Sequence, residues 1–231
     1  MTESGPVIVD YELVDNQNDK FFKNLNNNIL NKVNDEESLF SFSIDSQSLL
    51  YNQSENVYGK DVRYSNWIND EIALNNLKTQ YKIYSYPFND NKLFNIYYPE
   101  DINRNIFEYV QSKNGSIKSI SPGIFAAESA CRFWYKSKIS KIKNYLVWRS
   151  DSKSDQVLLI ENNQFKALIN FKTFKTKIKI LQSIGNEEDI LNIKRNIEMC
   201  LYGSKKITEI DYIFIYQINK SNNKLKYLLN K

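Results

Sequence analysis

The sequence of 231 residues contains no histidine. Histidine is the commonest general base near neutral pH and the commonest metal ligand in proteins. Its absence excludes Ser-His-Asp and Cys-His catalysis, as well as zinc sites built with imidazole. Chemistry based on carboxylates with a metal ion, on lysine, or on phosphate positioning remains open. The sequence therefore favours a binding or assembly protein over an enzyme, and we expect no cofactor and no bound metal.

Cysteines and long apolar runs are also scarce. The two cysteines, Cys131 and Cys200, lie far apart in the sequence and cannot form an all-cysteine zinc site. Both fall on apolar faces of predicted helices, which is typical of buried free thiols in a reducing compartment. No apolar run reaches the roughly 18 residues that cross a bilayer, and the first residues lack a signal-peptide pattern. We therefore expect a cytoplasmic protein without a transmembrane segment.

Aromatic and apolar residues are abundant, and the charge is balanced. Aromatic residues make up 14% of the chain and apolar residues 42%, which is enough for a large core. The net charge of +4 does not by itself imply a nucleic-acid partner, for which a pronounced basic face is expected. The length allows one large domain or two small ones.

Strand and helix patterns alternate along the chain and predict an α/β fold. Residues 39–44 and 48–51 read as two strands of a hairpin, and residues 81–98 as a strand pair. A helix should then begin at Pro99 and end at residues 114–115, where Asn-Gly is a common stop signal.

The second half of the sequence predicts a three-stranded meander, a helix and a final strand. The helix begins at the capping segment Asn186-Glu187-Glu188-Asp189 and ends at Gly203. The final strand, residues 211–218, is apolar throughout, which predicts burial on both faces. We expect two lobes, residues 1–140 with a closing alanine-rich helix and residues 141–231 with the meander, helix and strand.

Two lysine-rich segments, residues 136–143 and 172–179, support an alternative function. The second segment fits either a strand or an amphipathic helix. Such lysines would bind nucleic acid or anionic lipid, although a cluster of this kind is more often a solvated face. The lysines concerned are Lys136, Lys138, Lys141, Lys143, Lys172, Lys175, Lys177 and Lys179.

Three stretches of the chain together resemble a known family. Residues 40–45 are a strand that ends in an aspartate, residues 99–128 contain a helix, a strand and a proline-opened alanine helix, and residues 145–148 begin a second set of hairpin strands. In these stretches the chain resembles the actin-like ATPase superfamily, and within it the PilM-type pilus-assembly and type II secretion scaffold branch. The resemblance implies a two-lobed actin-like (ribonuclease H-like) arrangement of mixed sheets with flanking helices.

Glycine is missing where this resemblance implies nucleotide loops. Active members of the family hold phosphate with Asp-x-Gly turns, because glycine lets backbone N–H groups approach the phosphate closely. Here the two turns are Asp-Ser-Gln at residues 45–47 and Arg-Ser-Asp-Ser-Lys at residues 149–153. The adenine loop is replaced by Gln-Ile-Asn-Lys at residues 217–220. The resemblance therefore implies a pseudo-ATPase, a relative that does not hydrolyse nucleotide.

Two aspartates are the candidate cofactor-binding residues of these degenerate loops. Asp45 has the chemistry and the position to hold Mg²⁺, and Asp151 is the carboxylate of the second loop. Each is more simply interpreted as a turn residue whose side chain accepts backbone N–H groups. Asp155, Glu161 and Lys166 lack the close spacing of a metal-dependent nuclease centre, and cross-strand charges explain them better.

These observations lead to one main prediction and two alternatives. The main prediction is a non-catalytic scaffold or adaptor of a bacterial envelope assembly, of pilus or secretion type. It would bind a protein partner, either a peptide or an assembly subunit, through exposed strands or a groove between the lobes. The chain could also form a homodimer. Any association with the membrane would be mediated by the protein partner. The alternatives are a binder of nucleic acid or anionic surfaces, which is the less favoured partner class, and an active ATPase.

Most aromatic residues are expected to pack in the core or on a sheet. This interpretation covers Trp148 and the consecutive Phe133, Trp134 and Tyr135. One of them would also serve as an interface anchor, because Trp and Tyr contribute disproportionately to binding energy.

Overall fold

The computed structural model describes residues 39–45, 48–55, 81–88, 91–135, 141–151, 154–175, 177–203 and 210–217. Their strands and helices, in chain order, are β1 Leu39–Ile44, β2 Leu50–Glu55, β3 Tyr81–Phe88, β4 Lys92–Pro99, α1 Glu100–Ser112, β5 Ser116–Pro122, α2 Gly123–Trp134, β6 Asn144–Ser150, β7 Asp155–Glu161, β8 Gln164–Thr173, β9 Ile178–Ile184, α3 Glu187–Tyr202 and β10 Tyr212–Gln217. The prediction of an α/β protein with mixed sheets and flanking helices is confirmed.

The chain divides into two compact units. One contains Met1–Phe42 and Glu100–Ile120, and the other contains Ser43–Pro99 and Ser121–Lys231. The lobe boundary at residue 140 stays a prediction. None of the helices in the described part of the chain is long and apolar enough to cross a membrane.

The first unit contains α1 and the sheet formed by β1 and β5. The ring of Phe40 meets that of Tyr109 on α1 edge-on at 5.9 Å, and the Ser119 hydroxyl donates to the Ser41 hydroxyl at 3.1 Å across the strand pair. The predicted hairpin of β1 with β2 is therefore wrong. A turn does follow β1, since the N–H of Ser48 donates to the Asp45 carbonyl at 2.9 Å. Strand β2 pairs with β4 instead.

Helix α1 has the ends that its sequence predicts. Glu100 and Asp101 lie in the first turn, where their negative charges interact favourably with the positive end of the helix dipole. At the other end Asn114 has a positive φ of 51°, and the N–H of Gly115 donates to the Val110 carbonyl at 3.1 Å. This is the Schellman pattern of a helix end, with asparagine as the left-handed residue.

A five-stranded sheet in the order β10-β6-β7-β8-β9 is the centre of the second unit. Strand β10 runs parallel to β6, and the other pairs are antiparallel, so the predicted meander is confirmed. Asn162 and Asn163 join β7 to β8 with φ values of 50° and 63°. Two consecutive positive φ values fit the type I′ turns of tight hairpins, whose twist matches that of the strands.

Helix α3 covers one face of this sheet. The side chain of Asn186 accepts the N–H of Asp189 at 2.8 Å, and Gly203 ends the helix with a φ of 72°, both as predicted. Ile193 and Ile197 of the helix pack in a buried cluster that includes Trp148. Cys131 and Cys200 are free thiols, partly buried rather than fully buried, and burial raises the pKa of each.

The opposite face of the sheet meets α2 and the three-stranded sheet β2-β4-β3. Four phenylalanines make this contact. The ring of Phe165 on β8 lies 4.9 Å from Phe88, 5.1 Å from Phe94 and 5.4 Å from Phe125. Each ring comes from a different element, so burial of this cluster fixes β3, β4 and α2 on the central sheet.

Residues 172–179 form strand ends and a turn, and the helical interpretation is wrong. Thr173 pairs with Ile178 in the strand register. The helix would have had an apolar stripe of Phe171, Phe174, Ile178 and Leu181, but Phe174 and Leu181 are exposed. The strand pattern instead places Ile178 in the cluster under α3.

Strand β10 is less buried than its apolar sequence predicts. It forms an edge of the five-stranded sheet, and no other strand among the described residues pairs with it except β6. Tyr212 is exposed, whereas Ile213 and Ile215 are partly buried against the cluster under α3. Full burial on both faces was therefore the wrong prediction, because Tyr212 is exposed and Ile213 to Tyr216 are only partly buried.

Candidate functional site

A row of polar side chains crosses the five-stranded sheet at one level. In the strand registers Tyr216 lies beside Arg149, Arg149 opposite Gln156, Gln156 opposite Asn170, and Asn170 opposite Gln182. Residues directly opposite in register project to the same face of a sheet. These five residues, here called the polar row, lie on the face away from α3.

Arg149 is the charged centre of the polar row. Its side chain is 1% exposed, and its Nη2 donates to Asp45 Oδ1 at 2.6 Å and to Asp151 Oδ2 at 3.3 Å. The structure therefore brings together the two aspartates that the sequence singled out. Sequence reasoning treated Arg149 only as a residue of the second turn. The missed signal is its place in register with Gln156 and Asn170.

Asp155 fixes the turn between β6 and β7. Its Oδ1 accepts the N–H of Asp151 at 3.2 Å, and its Oδ2 accepts the Thr173 hydroxyl at 3.2 Å. The ordinary interpretation of a turn aspartate thus fits Asp155. Among the described residues no group of three or more His, Cys, Asp or Glu side chains could hold a metal ion. Magnesium binding by Asp45 or Asp151 stays a prediction.

The charge balance around Arg149 bears on which ligands the site accepts. A single guanidinium faces two carboxylates, so the three groups together carry a formal excess of one negative charge. Arginine alone is a good phosphate ligand. Here an entering phosphate would also meet Asp45 and Asp151, and like charges at short range in a poorly solvated site repel strongly. The two carboxylates therefore weaken the attraction of Arg149 for an anion.

Helix α2 is attached to the sheet beside the polar row. The hydroxyl of Tyr216 donates to the carbonyl of Gly123, the first residue of α2, at 3.2 Å. Burial raises the pKa of Tyr216, so the hydroxyl keeps its proton and remains a donor. Further along α2, the buried Glu128 accepts the Tyr145 hydroxyl at 2.6 Å and pairs with Arg132 at 2.7 Å. Burial, followed by the hydrogen bond to Glu128, raises the pKa of Tyr145 as well.

The lysine-rich hairpin end is built by β8 and β9. Lys172 and Lys179 are opposite in register, and the Tyr202 hydroxyl lies 2.6 Å from the Phe174 carbonyl and 2.9 Å from the Lys177 carbonyl, which fixes the turn. The four lysines of this segment and two of the other are exposed: Lys172, Lys175, Lys177, Lys179, Lys141 and Lys143. Lys136 and Lys138 lie outside the described residues.

An exposed aromatic surface lies at the end of α2 and on β10. We call Phe133, Trp134, Tyr135, Tyr212 and Phe214 the aromatic patch. Trp134 is 74% exposed, and the ring of Tyr135 lies 5.2 Å from that of Phe214. Packing in the core or on a sheet was the wrong prediction for Phe133 and Trp134, whereas Tyr135 packs on β10 and Trp148 is buried as expected. Two of its residues, Tyr212 and Phe214, belong to β10, which pairs with β6 alone among the described strands.

No protein-family model and no curated protein matches the chain. Among solved structures, the chain is similar to the cytoplasmic domain of EpsL, an inner-membrane component of the type II secretion system of Vibrio cholerae. The identity is 9% and the TM-score 0.39, over 84% of this chain and 74% of that one. It is also similar to a chain of the PilM-PilN type IV pilus biogenesis complex, with 7% identity and a TM-score of 0.42. That match covers 70% of this chain and 47% of the pilus protein.

A third similar structure is a protein of unknown function from Bacteroides thetaiotaomicron with an actin-like ATPase fold. Its identity is 11% and its TM-score 0.36, over 83% of this chain and 73% of that one.

Proposed function

We propose that this chain is a non-catalytic scaffold of a bacterial envelope assembly, of pilus or secretion type, which binds a protein partner in the cytoplasm. The observation that carries the proposal is the position of Arg149. Its guanidinium is buried between Asp45 and Asp151, at the two strand ends where the sequence resemblance implies phosphate loops. An ion pair within the chain occupies the place at which an active relative would hold nucleotide.

Nucleotide binding would have to break this arrangement. A phosphate would compete with Asp45 for a charge-assisted hydrogen bond of 2.6 Å, and such bonds are about twice as strong as neutral ones. The turns also lack the glycines whose backbone N–H groups would receive the displaced charge. A phosphate that displaced Asp45 from Arg149 would therefore gain no backbone N–H donors in exchange, and we expect the Asp45–Arg149 hydrogen bond to persist.

The nucleotide part of the proposal predicts that Mg·ATP does not bind. Calorimetric titration of the full chain with Mg·ATP into the millimolar range should give no saturable heat beyond dilution. Release of inorganic phosphate should equal that of a protein-free control. Micromolar affinity, or phosphate release above the control, would contradict the non-catalytic assignment.

The edge of β10 away from β6, with which no described strand pairs, offers a place for a partner strand. Edge strands carry unpaired N–H and C=O groups, which an extended segment of another protein can bind by adding a strand. Other sheet edges are less suited to strand addition. Strand β9, at the far edge of the same sheet, contacts β2, and β3, an edge of the three-stranded sheet, contains Pro87, which has no backbone N–H to donate. Beside β10 the aromatic patch supplies side chains of the type that anchors interfaces. We propose that the partner contributes an extended apolar segment to this edge.

A site-specific cross-linking experiment tests partner capture. The photoreactive residue benzoylphenylalanine replaces Tyr212 on β10 in one variant, and the exposed Leu191 on α3 in a matched control. Irradiation of the native cell should join position 212, but not position 191, to one envelope-assembly protein, identified by mass spectrometry. Equal labelling at both positions, or labelling only of proteins outside such assemblies, would count against the proposal.

Binding of nucleic acid or of anionic surfaces is the second candidate function, and the exposed lysines of residues 172–179 support it. Four lysines project from a hairpin end whose turn is fixed by Tyr202. Retention on heparin at physiological ionic strength, lost when Lys175 and Lys177 are changed to glutamine, would favour this function. Elution below that ionic strength would exclude it.

A further inference from the structure

Four polar atoms in the middle of the polar row have no hydrogen-bond partner among the described residues. They are Arg149 Nη1, Gln156 Nε2, Gln156 Oε1 and Asn170 Oδ1. Gln156 is 0% exposed, and Arg149 is almost as deeply buried. The two ends of the row differ, since Tyr216 donates to the Gly123 carbonyl and Gln182 to the Tyr51 carbonyl. Within the polar row, the unmet hydrogen bonding is therefore confined to three neighbouring residues.

Such a cluster indicates an occupant. Buried polar atoms are almost always hydrogen-bonded, because burial removes the hydrogen bonds that water would make. Arg149, Gln156 and Asn170 lie side by side on β6, β7 and β8. With about 4.8 Å between adjacent strands, one ligand of a few heavy atoms reaches all three side chains.

The donors and acceptors of the cluster define the chemistry of the occupant. Arg149 Nη1 and Gln156 Nε2 are donors, whereas Gln156 Oε1 and Asn170 Oδ1 are acceptors. An oxyanion has no donor for the two oxygens, and Asp45 and Asp151 already face the charge of Arg149. An ammonium has no acceptor for Arg149. Turning the Gln156 amide over exchanges its two atoms and leaves one donor and one acceptor. Turning the Asn170 amide over replaces its acceptor with a donor, but the Gln156 oxygen still needs a donor, which an oxyanion lacks.

We propose that Arg149, Gln156 and Asn170 form a binding site for a neutral primary carboxamide. Its oxygen accepts from Arg149 Nη1, and the group pairs reciprocally with the amide of Gln156. Its second N–H donates to Asn170 Oδ1. This chemistry occurs in free small amides and in the glutamine or asparagine side chain of a partner protein.

The test compares three probes of the same shape: propionamide, propionate and propylamine. Saturation-transfer NMR and thermal unfolding are measured on the full chain. A saturable signal and a rise in Tm are expected with propionamide alone. The variants Gln156→Leu and Asn170→Leu should weaken propionamide binding at least tenfold, while Gln164→Leu, at an exposed position of the same sheet, should bind as the parent does. Circular dichroism confirms that each variant folds.

Two further probes separate the sources of the amide. Acetyl-glutamine N-methylamide that competes with propionamide, when acetyl-leucine N-methylamide does not, indicates a partner side chain. Binding of propionamide alone indicates a free small molecule. Three results would overturn the site: equal binding of propionate, no response to any amide, or a crystal structure in which ordered water alone, or a side chain of residues 46–47 or 152–153, meets the four atoms.

Discussion

Replacement of Arg149 by methionine is expected to lower the free energy of unfolding by about 3–5 kcal/mol, the usual cost of removing one partner of a buried ion pair. Methionine keeps much of the length of the side chain without its charge, so the loss reports electrostatics more than packing. Asp151, whose side chain is 8% exposed, would keep its negative charge and lose the guanidinium. Domains of ordinary stability unfold with about 5–15 kcal/mol, so the variant should be marginally folded at room temperature.

Two control variants separate the buried partner of Arg149 from the exposed one. Asp45→Asn should cost no more than about 1 kcal/mol, because the Asp45 side chain is 43% exposed and water screens the charge. The double variant Arg149→Met, Asp151→Asn should recover part of the loss, since it also removes the buried carboxylate charge that Arg149 faces. Urea unfolding followed by tryptophan fluorescence measures all four proteins. If the methionine variant loses no more stability than Asp45→Asn, the ion pair does not hold the strand ends together.

Features decided by neighbouring residues were predictable from the sequence. The ends of α3 follow from Asn186 and Gly203, whose capping roles depend on contacts within one helical turn. The tight turn at Asn162 and Asn163 follows from the tolerance of asparagine for positive φ. Such features need no knowledge of the rest of the chain.

Features decided by distant contacts were not predictable from local pattern. The alternation in β1 and β2 fits a hairpin, but β2 pairs with β4 because Tyr51 stacks on Phe94, 5.8 Å between ring centres. The segment 172–179 fits both a helix and a strand, and only packing against α3 decides between them. Pairing and packing choices of this kind depend on which surfaces meet in the folded chain.

The candidate site was partly within reach of the sequence. Asp45 and Asp151 were found from chemistry and position, whereas Arg149 was assigned to a turn. A hairpin centred between residues 152 and 153 places Arg149 opposite Gln156, as the structure has it. A register count through the two turns of the meander would have aligned the polar row. The burial of the row was out of reach, because it depends on α2 and the three-stranded sheet, which are not its sequence neighbours.

The second large effect is expected at Gly185, the residue between β9 and α3. Its φ of 129° lies where residues with a side chain rarely occur, and its N–H donates to Gln53 Oε1 at 2.8 Å. A Cβ at this position would lie 2.7 Å from Ala167 Cβ and 3.0 Å from the Lys166 carbonyl oxygen. Backbone strain and overpacking each cost roughly 1–3 kcal/mol, so Gly185→Ala should lose about 2–6 kcal/mol.

Gly203 provides the matched control for Gly185→Ala. Its φ of 72° is also positive, but no heavy atom lies within 4 Å of the position of its Cβ. Gly203→Ala should therefore lose only about 1–2 kcal/mol, the cost of the left-handed backbone alone. Adding Ala167→Gly to Gly185→Ala removes the closest contact but leaves the strained φ. The double variant should therefore be more stable than Gly185→Ala alone, even though the lost methyl group leaves a cavity at residue 167. Equal losses of unfolding free energy for Gly185→Ala and Gly203→Ala, measured by urea unfolding, would mean that β8 moves away from residue 185 at little cost. The contact between Gly185 and Ala167 would then not fix the start of α3 against β8.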